Sequence, residues 1–426
     1  MGYRLSGSLA LCALFCLTCS FQALAKLSIT GDSPEWRKLD PYQKTITHKK
    51  FHELVNTIYS IDQYLYEYLT VHEDRIDVYL EKEKQTKLWT LYLAKDETLE
   101  NPFNRHQILK RKFSFNYRPL PLLGITICLD PGHIGGKWTK IEERHMQMRT
   151  GNYPPITEGD LTTITCRHVE RILKAAGAKV QWTREDNEPV TDLRPTDLYK
   201  EALDYYKKSP RRSLRYANSS SLTQVMLWAN LLFYRVFEIE ARARRIEKLQ
   251  PDMTLCVHFN AAPTPNPMRP RLYNVRKLVT FVHGSYTSEE IDDLWQRYHL
   301  FKKLLECSVY TEIEASDSIT KRMVEMWGWP PENYDSWDTA HRAHPENPYI
   351  WSRNLLANRL YPGPVVFIEG PYMNDKYAFH RLVEGDYDGI RIIKGKPERS
   401  IFREFAETIA EGIIDFYSRP QKEQTT

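Results

Sequence analysis

Three short, mostly apolar runs constrain the fold of this chain more than any other feature. They lie at residues 125–130, 253–260 and 364–370. Apolar runs of this length are typical of strands that are buried on both faces of a sheet. Helical patterns lie between them. This alternation predicts an α/β fold over residues 121–420, with a mostly parallel or mixed sheet and helices on both faces.

The first helix of this region is predicted over residues 161–176, with Asp160 as its N-cap. Further helical patterns alternate with strand-like runs up to a closing helix near the C-terminus. Two segments, residues 187–237 and 328–360, do not fit the alternation. We interpret them as insertions into the α/β region.

Residues that can bind a metal or carry a proton lie at the ends of the three strands. His133 follows the first strand, His258 lies on the second, and Glu369 ends the third. In open α/β sheets, ligands bind just outside the carboxyl ends of the strands. Two histidines and a carboxylate, with one position left open, are a common catalytic zinc set. A further acid, Glu158, precedes the first predicted helix.

Each of these residues also has a simpler interpretation. His133 could be a turn histidine that is hydrogen-bonded to the backbone, and His258 could be a core histidine with satisfied nitrogens. Glu369 lies on so apolar a strand that burial without a partner would be costly, and we therefore expect a metal or water beside it. The functional interpretation depends on all three meeting at one sheet edge.

Five motifs in this order resemble the zinc-dependent N-acetylmuramoyl-L-alanine amidase family. In chain order they are ICLDPGHIGG, EGDL, VQWTRED, CVHFNAA and VVFIEGPYMND. The resemblance extends over about residues 125–417, interrupted by the insertions. It implies Zn²⁺ as the cofactor and peptidoglycan as the substrate. The bond cleaved would be the amide that joins N-acetylmuramic acid to L-alanine.

The resemblance also implies roles for individual residues. It places the metal ligands at His133, Glu158 and His258, and the catalytic, proton-handling carboxylate at Glu369. The remaining matched residues are candidates for supporting the site or binding substrate: Asp130, Arg184, Arg242, Asn260 and Asn374. Of these, Asp130 is expected to orient the turn or a ligand, and the two arginines are more often structural ion-pair residues.

Glu158 lies 25 positions after His133, which is longer than the usual loop of the family. The loop departs from the family pattern at Lys137, and Thr163 replaces a usual leucine. It also contains three rival ligands: Glu142, Glu143 and His145. Glu158 is favoured because it directly precedes a helix, a rigid place for a ligand, whereas the rivals lie in a loop that we expect to be mobile.

The insertion at residues 187–237 is a second departure. We hypothesise that it packs near the cleft and restricts the substrate or gates access to the site. Two alternatives to a peptidoglycan amidase stay open at this stage. One is a zinc hydrolase of another acyl-peptide, and the other is a non-catalytic relative that binds peptidoglycan. An activating protein partner is possible for such an enzyme, but the sequence does not identify one.

Residues 26–120 do not show the alternation of strands and helices that is seen in the α/β region. Residues 51–69 have apolar positions at helical spacing, and two alternating runs at 75–82 and 87–95 predict a hairpin. Because no cluster of reactive residues accompanies them, we interpret this region as a small α+β accessory domain of unknown role. A linker is expected at residues 117–124.

Residues 1–25 have the features of a signal peptide: Arg4 supplies positive charge, an apolar core follows, and Ala23–Leu24–Ala25 forms a small-x-small cleavage site. A lipid anchor at Cys19 is disfavoured, because small residues do not precede it. We therefore expect a secreted or periplasmic protein without a transmembrane segment after cleavage.

A net charge of only +4 over 426 residues gives no support for a nucleic-acid partner. Four of the seven cysteines follow the signal peptide, and none forms a C-x-x-C pair. Cys128 and Cys256 each lie two residues before a site candidate. They could meet across neighbouring strands or serve as small buried hydrophobes.

Overall fold

The structure is a computed structural model that describes residues 33–60, 62–96, 120–149, 151–208, 220–264 and 270–418. The predicted signal peptide and the first residues of the predicted linker lie outside these ranges. Within the described ranges, no helix is long and apolar enough to cross a membrane.

The N-terminal part consists of a short helix and a three-stranded antiparallel sheet. These elements are α1 (His48–Leu54), β1 (Leu69–Val71), β2 (Arg75–Tyr79) and β3 (Lys87–Tyr92). Strands β2 and β3 confirm the predicted hairpin. The helical pattern of residues 51–69 is confirmed up to Tyr59, where a π-helical turn (Val55–Tyr59) continues α1, but a helix that runs on to residue 69 is wrong. Gln63, with φ of +62°, adopts a left-handed conformation that no α-helix contains, and it separates α1 from a later 3-10 turn.

A seven-stranded mixed sheet forms the centre of the molecule. The strands after the N-terminal part are β4 (Thr126–Pro131), β5 (His145–Met146), β6 (Ile156–Thr157), β7 (Lys179–Trp182), β8 (Met253–Phe259), β9 (Val279–His283), β10 (Ala340–Arg342), β11 (Ile350–Arg353), β12 (Val365–Gly370), β13 (Arg391–Ile393) and β14 (Lys396–Glu398). The sheet order is β10-β11-β9-β12-β8-β4-β7. Strands β7, β4, β8 and β12 are mutually parallel, while β9 runs antiparallel to β12.

Helices cover both faces of this sheet. They are α2 (Thr139–Glu142), α3 (Glu158–Ala175), α4 (Tyr199–Lys208), α5 (Ser221–Leu231), α6 (Glu238–Leu249), α7 (Ser288–Asp292), α8 (Leu294–Glu306), α9 (Val309–Trp327), α10 (Leu356–Leu360), α11 (Lys376–Leu382) and α12 (Ile401–Ser418). Alternate strand residues such as Leu129 and Leu255 pack with α3, α9 and α12, whereas Cys128 and Cys256 point to the opposite core with α6 and α10. The predicted α/β class is thus confirmed, with a mixed sheet.

The structure tests two local predictions, a contact between Cys128 and Cys256 and an N-cap at Asp160. Cys128 is level with Thr254 rather than with Cys256, and both thiols are free, buried hydrophobes. Helix α3 begins at Glu158, so Asp160 lies in its first turn instead of capping it. The N-cap prediction for Asp160 is therefore wrong, because the helix starts two residues earlier.

The two insertions have different places in the fold. Residues 187–237 form α4, α5 and a wide helical turn around a separate apolar cluster, which includes Trp138 of the long loop. Residues 328–360 supply β10, β11 and α10 and so complete one edge of the central sheet. The N-terminal part shares a buried cluster with α8 and with strand residues such as Val282, and this contact places it at that same side of the sheet.

Candidate metal centre

The turn after β4 is held by a group of buried charged residues, which we call the support network: Asp130, Arg184, Glu238 and Arg242. Arg242 donates from Nη1 to Asp130 over 2.9 Å and from Nε to Glu238 over 2.8 Å. The other oxygen of Asp130 accepts from the Tyr361 hydroxyl over 3.0 Å. These charges satisfy one another, so the network can stay buried.

The support network fixes the backbone at His133, whose φ is +59°. The carbonyl oxygen of His133 accepts from Arg184 Nε over 2.7 Å and from Arg242 Nη2 over 3.0 Å. The preceding carbonyl, of Gly132, accepts from Thr162 Oγ1 over 2.8 Å. Both arginines matched from the sequence therefore bind the turn itself, and their guanidinium groups hold the imidazole of His133 in position.

His133, Glu158 and His258 come together although they lie far apart in sequence. Each offers a ligand atom, and these atoms lie within 4.8 Å of one another. Glu158 Oε2 is 3.2 Å from His133 Nε2, and Glu158 Oε1 is 3.1 Å from His258 Nδ1. The carboxylate sits at the start of α3, and the histidines come from the ends of β4 and β8.

Glu369 completes what we call the open cluster: His133, Glu158, His258 and Glu369. In the parallel pair β12–β8, Glu369 is level with His258, so both side chains lie on the same face of the sheet. Its Oε2 is buried and has no hydrogen-bond partner among the described residues. Unsatisfied buried carboxylate oxygens are rare, and one beside three ligand groups indicates a place for water, metal or substrate.

The electrostatics of the open cluster suit a metal site. Burial lowers the pKa of His133 well below its ordinary value and outweighs the opposing effect of Glu158, so its imidazole is neutral and can ligate. Burial also acts on Glu158, but His133 and His258 outweigh it and hold the pKa of this carboxyl low. Burial raises the pKa of Glu369 to about 7, which suits a group that must both accept and release a proton.

The backbone packs closely at two glycines next to the ligands. A Cβ on Gly132 would lie 2.4 Å from the His258 ring, and a Cβ on Gly159 would lie 2.3 Å from the Gly135 backbone nitrogen. Phe367 stacks on the His258 ring with the centroids 4.2 Å apart. Glycine is therefore required at position 132 for the turn after β4 to lie against the His258 ring, and at position 159 for the start of α3 to lie against that turn.

The long loop contributes two residues that the sequence did not place. Glu142, considered as a rival ligand in a mobile loop, is only 3% exposed and accepts from the backbone nitrogen of Ile134. Its Oε1 lies 3.4 Å from His133 Nδ1, where it can orient the ring. Arg144 Nε lies 3.9 Å from Glu158 Oε2. The only sequence signal for these contacts with His133 and Glu158 was the large number of charged residues in the loop.

The other rivals and candidates lie outside the cluster. Glu143 and His145 are exposed and do not join the ligand group found in the described chain. Asn260 accepts from the Ala261 backbone nitrogen through its own Oδ1 over 2.8 Å. The side chain of Asn374 bonds both backbone groups of Ala262, at 2.8 and 2.7 Å. The two asparagines thus hold the chain that leaves β8.

The donor set fits zinc. Neutral imidazole nitrogens and one carboxylate are the ligands of many catalytic zinc sites, and the fourth position is left for water or substrate. A histidine that binds a metal through one ring nitrogen usually has a carboxylate or carbonyl beside the other nitrogen. For His133 this partner is the Glu142 carboxylate. His133, Glu158 and His258 can therefore hold the metal, with Glu369 beside it.

No protein-family model and no curated protein matches this chain. Several solved structures are similar to it. The CwlD amidase from Clostridioides difficile, in complex with the GerS lipoprotein, is 13% identical over 69% of this chain and 99% of its own, with a TM-score of 0.37. The N-acetylmuramoyl-L-alanine amidase AmiC2 of Nostoc punctiforme is 13% identical over 69% and 98%, also with a TM-score of 0.37.

A third similar structure is the N-acetylmuramyl-L-alanine amidase Ami1 from Mycobacterium smegmatis. It is 14% identical over 70% of this chain and 98% of its own, with a TM-score of 0.38. At this level of similarity, the chemistry of this chain has to follow from its own residues.

Proposed function

We propose that this protein is a zinc-dependent amidase that hydrolyses the bond between N-acetylmuramic acid and L-alanine in peptidoglycan. One observation carries the proposal. A His–Glu–His group, whose glutamate is buried, lies beside Glu369, a carboxylate with an unpartnered oxygen. The motif resemblance supports the choice of bond, and the signal-peptide features support action in the cell envelope after secretion.

The residues of the open cluster have separate tasks in this proposal. His133, Glu158 and His258 hold the metal, and bound Zn²⁺ supplies Lewis-acid chemistry, which polarises a carbonyl and makes water acidic near neutral pH. Glu369 Oε2 takes a proton from the attacking water and passes it to the departing amine nitrogen. Its pKa of about 7 lets it do both at neutral pH.

The support network and the long loop act on the same chemistry indirectly. Arg184 and Arg242 fix the turn that presents His133, and Glu142 orients its ring. The Arg144 guanidinium lies 3.9 Å from Glu158 Oε2 and adds positive charge beside the ligand carboxylate, where it would help to stabilise negative charge that develops on the substrate. No residue of the chain has to form a covalent bond with the substrate.

Digestion of purified peptidoglycan sacculi tests the proposal. The zinc-loaded protein should release free stem peptides and leave the glycan strands intact, and removal of the metal by a chelator should stop the release. Glu369→Gln should lower kcat by about 10²- to 10⁴-fold while zinc stays bound, because only the proton carrier is lost. Elemental analysis of each sample measures the metal content.

Glu346→Gln is the matched control, since Glu346 is exposed and lies outside the open cluster. It should leave the rate unchanged. Zinc binding without peptide release from sacculi, together with cleavage of another acyl-peptide, would favour the alternative hydrolase. Binding to sacculi that Glu369→Gln does not alter, with no turnover in either protein, would favour the non-catalytic alternative.

A further inference from the structure

A cavity of about 220 Å³ opens next to the candidate metal centre and extends away from it. Its lining includes His133 and His258 of the metal centre together with Glu290, Asn354 and Arg359. At roughly 30 Å³ per water, its volume corresponds to about seven water molecules. The cavity can therefore hold a polar group of the substrate in addition to the atoms that react.

The walls of this cavity come from the two insertions. Tyr234 and Val236 belong to the first insertion, and Leu355 and Ala357 belong to the second. Phe367 of β12, which stacks on His258, also lines it. The cavity thus combines apolar side chains with a set of polar and charged ones, as is usual in a ligand pocket.

Arg359 is a cavity-lining residue whose guanidinium is only partly hydrogen-bonded. It is only 7% exposed, and its Nη1 donates to Gln296 Oε1 over 2.6 Å and to Asn354 Oδ1 over 2.9 Å. Its Nε and Nη2 donate to no atom of the described chain, yet neither is sealed in the interior. Nε and Nη2 are adjacent donors on one edge of the guanidinium, and such an edge binds a carboxylate with two parallel hydrogen bonds.

Other charged residues line the cavity as well, among them Glu142, Arg235 and Glu290. Asp130 and Glu238 share the Arg242 guanidinium. The Glu290 carboxyl accepts from the backbone nitrogen of Thr287 over 3.0 Å. Burial raises the pKa of Glu290 and the Arg359 charge opposes that rise, so the two groups interact, although no hydrogen bond joins them among the described residues. The Nε and Nη2 donors of Arg359 are therefore available to an anionic group that enters the cavity.

We propose that Arg359 binds a free carboxylate of the peptide that the enzyme releases, and that the cavity is the specificity pocket for that peptide. This inference rests on the proposed function. In a muramoyl peptide the carboxyl of the sugar is consumed in the amide to be cleaved, so every free carboxylate lies on the peptide side. The cavity must then hold the leaving peptide, whose first free carboxylate belongs to the residue after L-alanine.

A pair of substrates that differ in one group tests this assignment. N-acetylmuramoyl-L-alanyl-D-isoglutamate carries the carboxylate, and the corresponding isoglutamine compound carries an uncharged amide. The wild-type enzyme should prefer the acid in kcat/KM by about 10- to 100-fold, as expected for charge-assisted hydrogen bonds. In Arg359→Gln the acid-to-amide ratio should fall to near 1, and Arg359→Lys should give an intermediate ratio.

The ratio is measured within each variant, so a loss of folded enzyme does not change it. Arg342→Gln is the matched control, because Arg342 is exposed and pairs with Asp335 at the sheet edge; it should keep the wild-type ratio. Equal rates on the two substrates in the wild type, or a preference that survives Arg359→Gln, would overturn the assignment while leaving the amidase function intact.

Failure of the proposed function gives a different result, namely no peptide released from either substrate or from sacculi. Calorimetry then decides the binding question without turnover. L-alanyl-D-isoglutamate should bind the wild-type protein about 10- to 100-fold more tightly than its amide, and Arg359→Gln should remove the difference. Equal affinity of the two dipeptides for the wild type would refute the carboxylate site.

Discussion

The support network and the open cluster surround the same turn after β4, but they differ in how completely their buried polar atoms are hydrogen-bonded. In the support network, Arg242 lies between Asp130 and Glu238, and the oxygens of both acids have donors. In the open cluster, three ligand groups and the unpartnered Glu369 face one another. The comparison indicates that fully satisfied buried charges position this site, whereas the one buried oxygen of the cluster without a partner among the described residues, Glu369 Oε2, indicates where a ligand enters.

The largest expected effect on stability comes from emptying the support network. Arg242→Met leaves Asp130 and Glu238 buried without a cation, and the free energy of unfolding should fall by about 3–5 kcal/mol. Urea denaturation of the metal-free protein measures it. Arg342→Met, at an exposed pair, should change stability by less than about 1 kcal/mol. If Arg242→Met and Arg342→Met both lower the free energy of unfolding by less than about 1 kcal/mol, the support network does not stabilise the fold.

The next effect depends on pH. Burial acts to raise the pKa of Asp130, but Arg242 and Thr183 outweigh it and hold this pKa below its usual range. A group with a lowered folded pKa stabilises fully above its unfolded pKa of about 3.9, and this contribution is lost as the pH falls through the folded value.

Asp130→Asn should therefore cost about 1.5–3 kcal/mol at pH 7, because hydrogen bonds to a charged acceptor are lost. The difference in unfolding free energy between variant and wild type should narrow below a pH of about 4. Denaturant titrations between pH 7 and pH 3 check this. A constant difference across that range would mean that the charge of Asp130 does not stabilise the fold.

A third prediction concerns Gly132, which packs against His258 of the open cluster. Gly132→Ala places a methyl group 2.4 Å from the His258 ring and should displace this ligand. Zinc affinity should fall by about 10- to 100-fold, as for other changes that misorient a ligating histidine. Competition with a chromophoric chelator measures the affinity. An unaltered zinc affinity would show that His258 is not held against this turn in solution.

The smallest expected effect is the stability of Glu369→Gln. Glutamine removes a buried carboxylate whose Oε2 has no hydrogen-bond partner among the described residues, so the metal-free variant should be as stable as the wild type or more stable, by about 1 kcal/mol or less. Thermal unfolding at pH 8 gives the comparison. A loss as large as that of Arg242→Met would place Glu369 in the support network instead.

Much of the site could be predicted because it lies at strand ends. His133, His258 and Glu369 stand out as polar residues at the ends of apolar strands, and parallel pairing brings such ends to one edge. Glu142, Arg144 and Arg359 could not be predicted in this way. Their positions depend on how two insertions and a long loop pack against the sheet, and no periodicity in the sequence encodes that packing.

The sequence by itself determined the α/β class, the β2–β3 hairpin and the order of the ligand-bearing segments, because strand burial and turn chemistry are local properties. Only the tertiary structure decided that Asp130 serves the support network, that Glu142 faces His133, and that α10 carries a guanidinium into the cavity. These outcomes depend on which buried charges find partners across the fold, and a buried charge finds its partner only when the whole chain has packed.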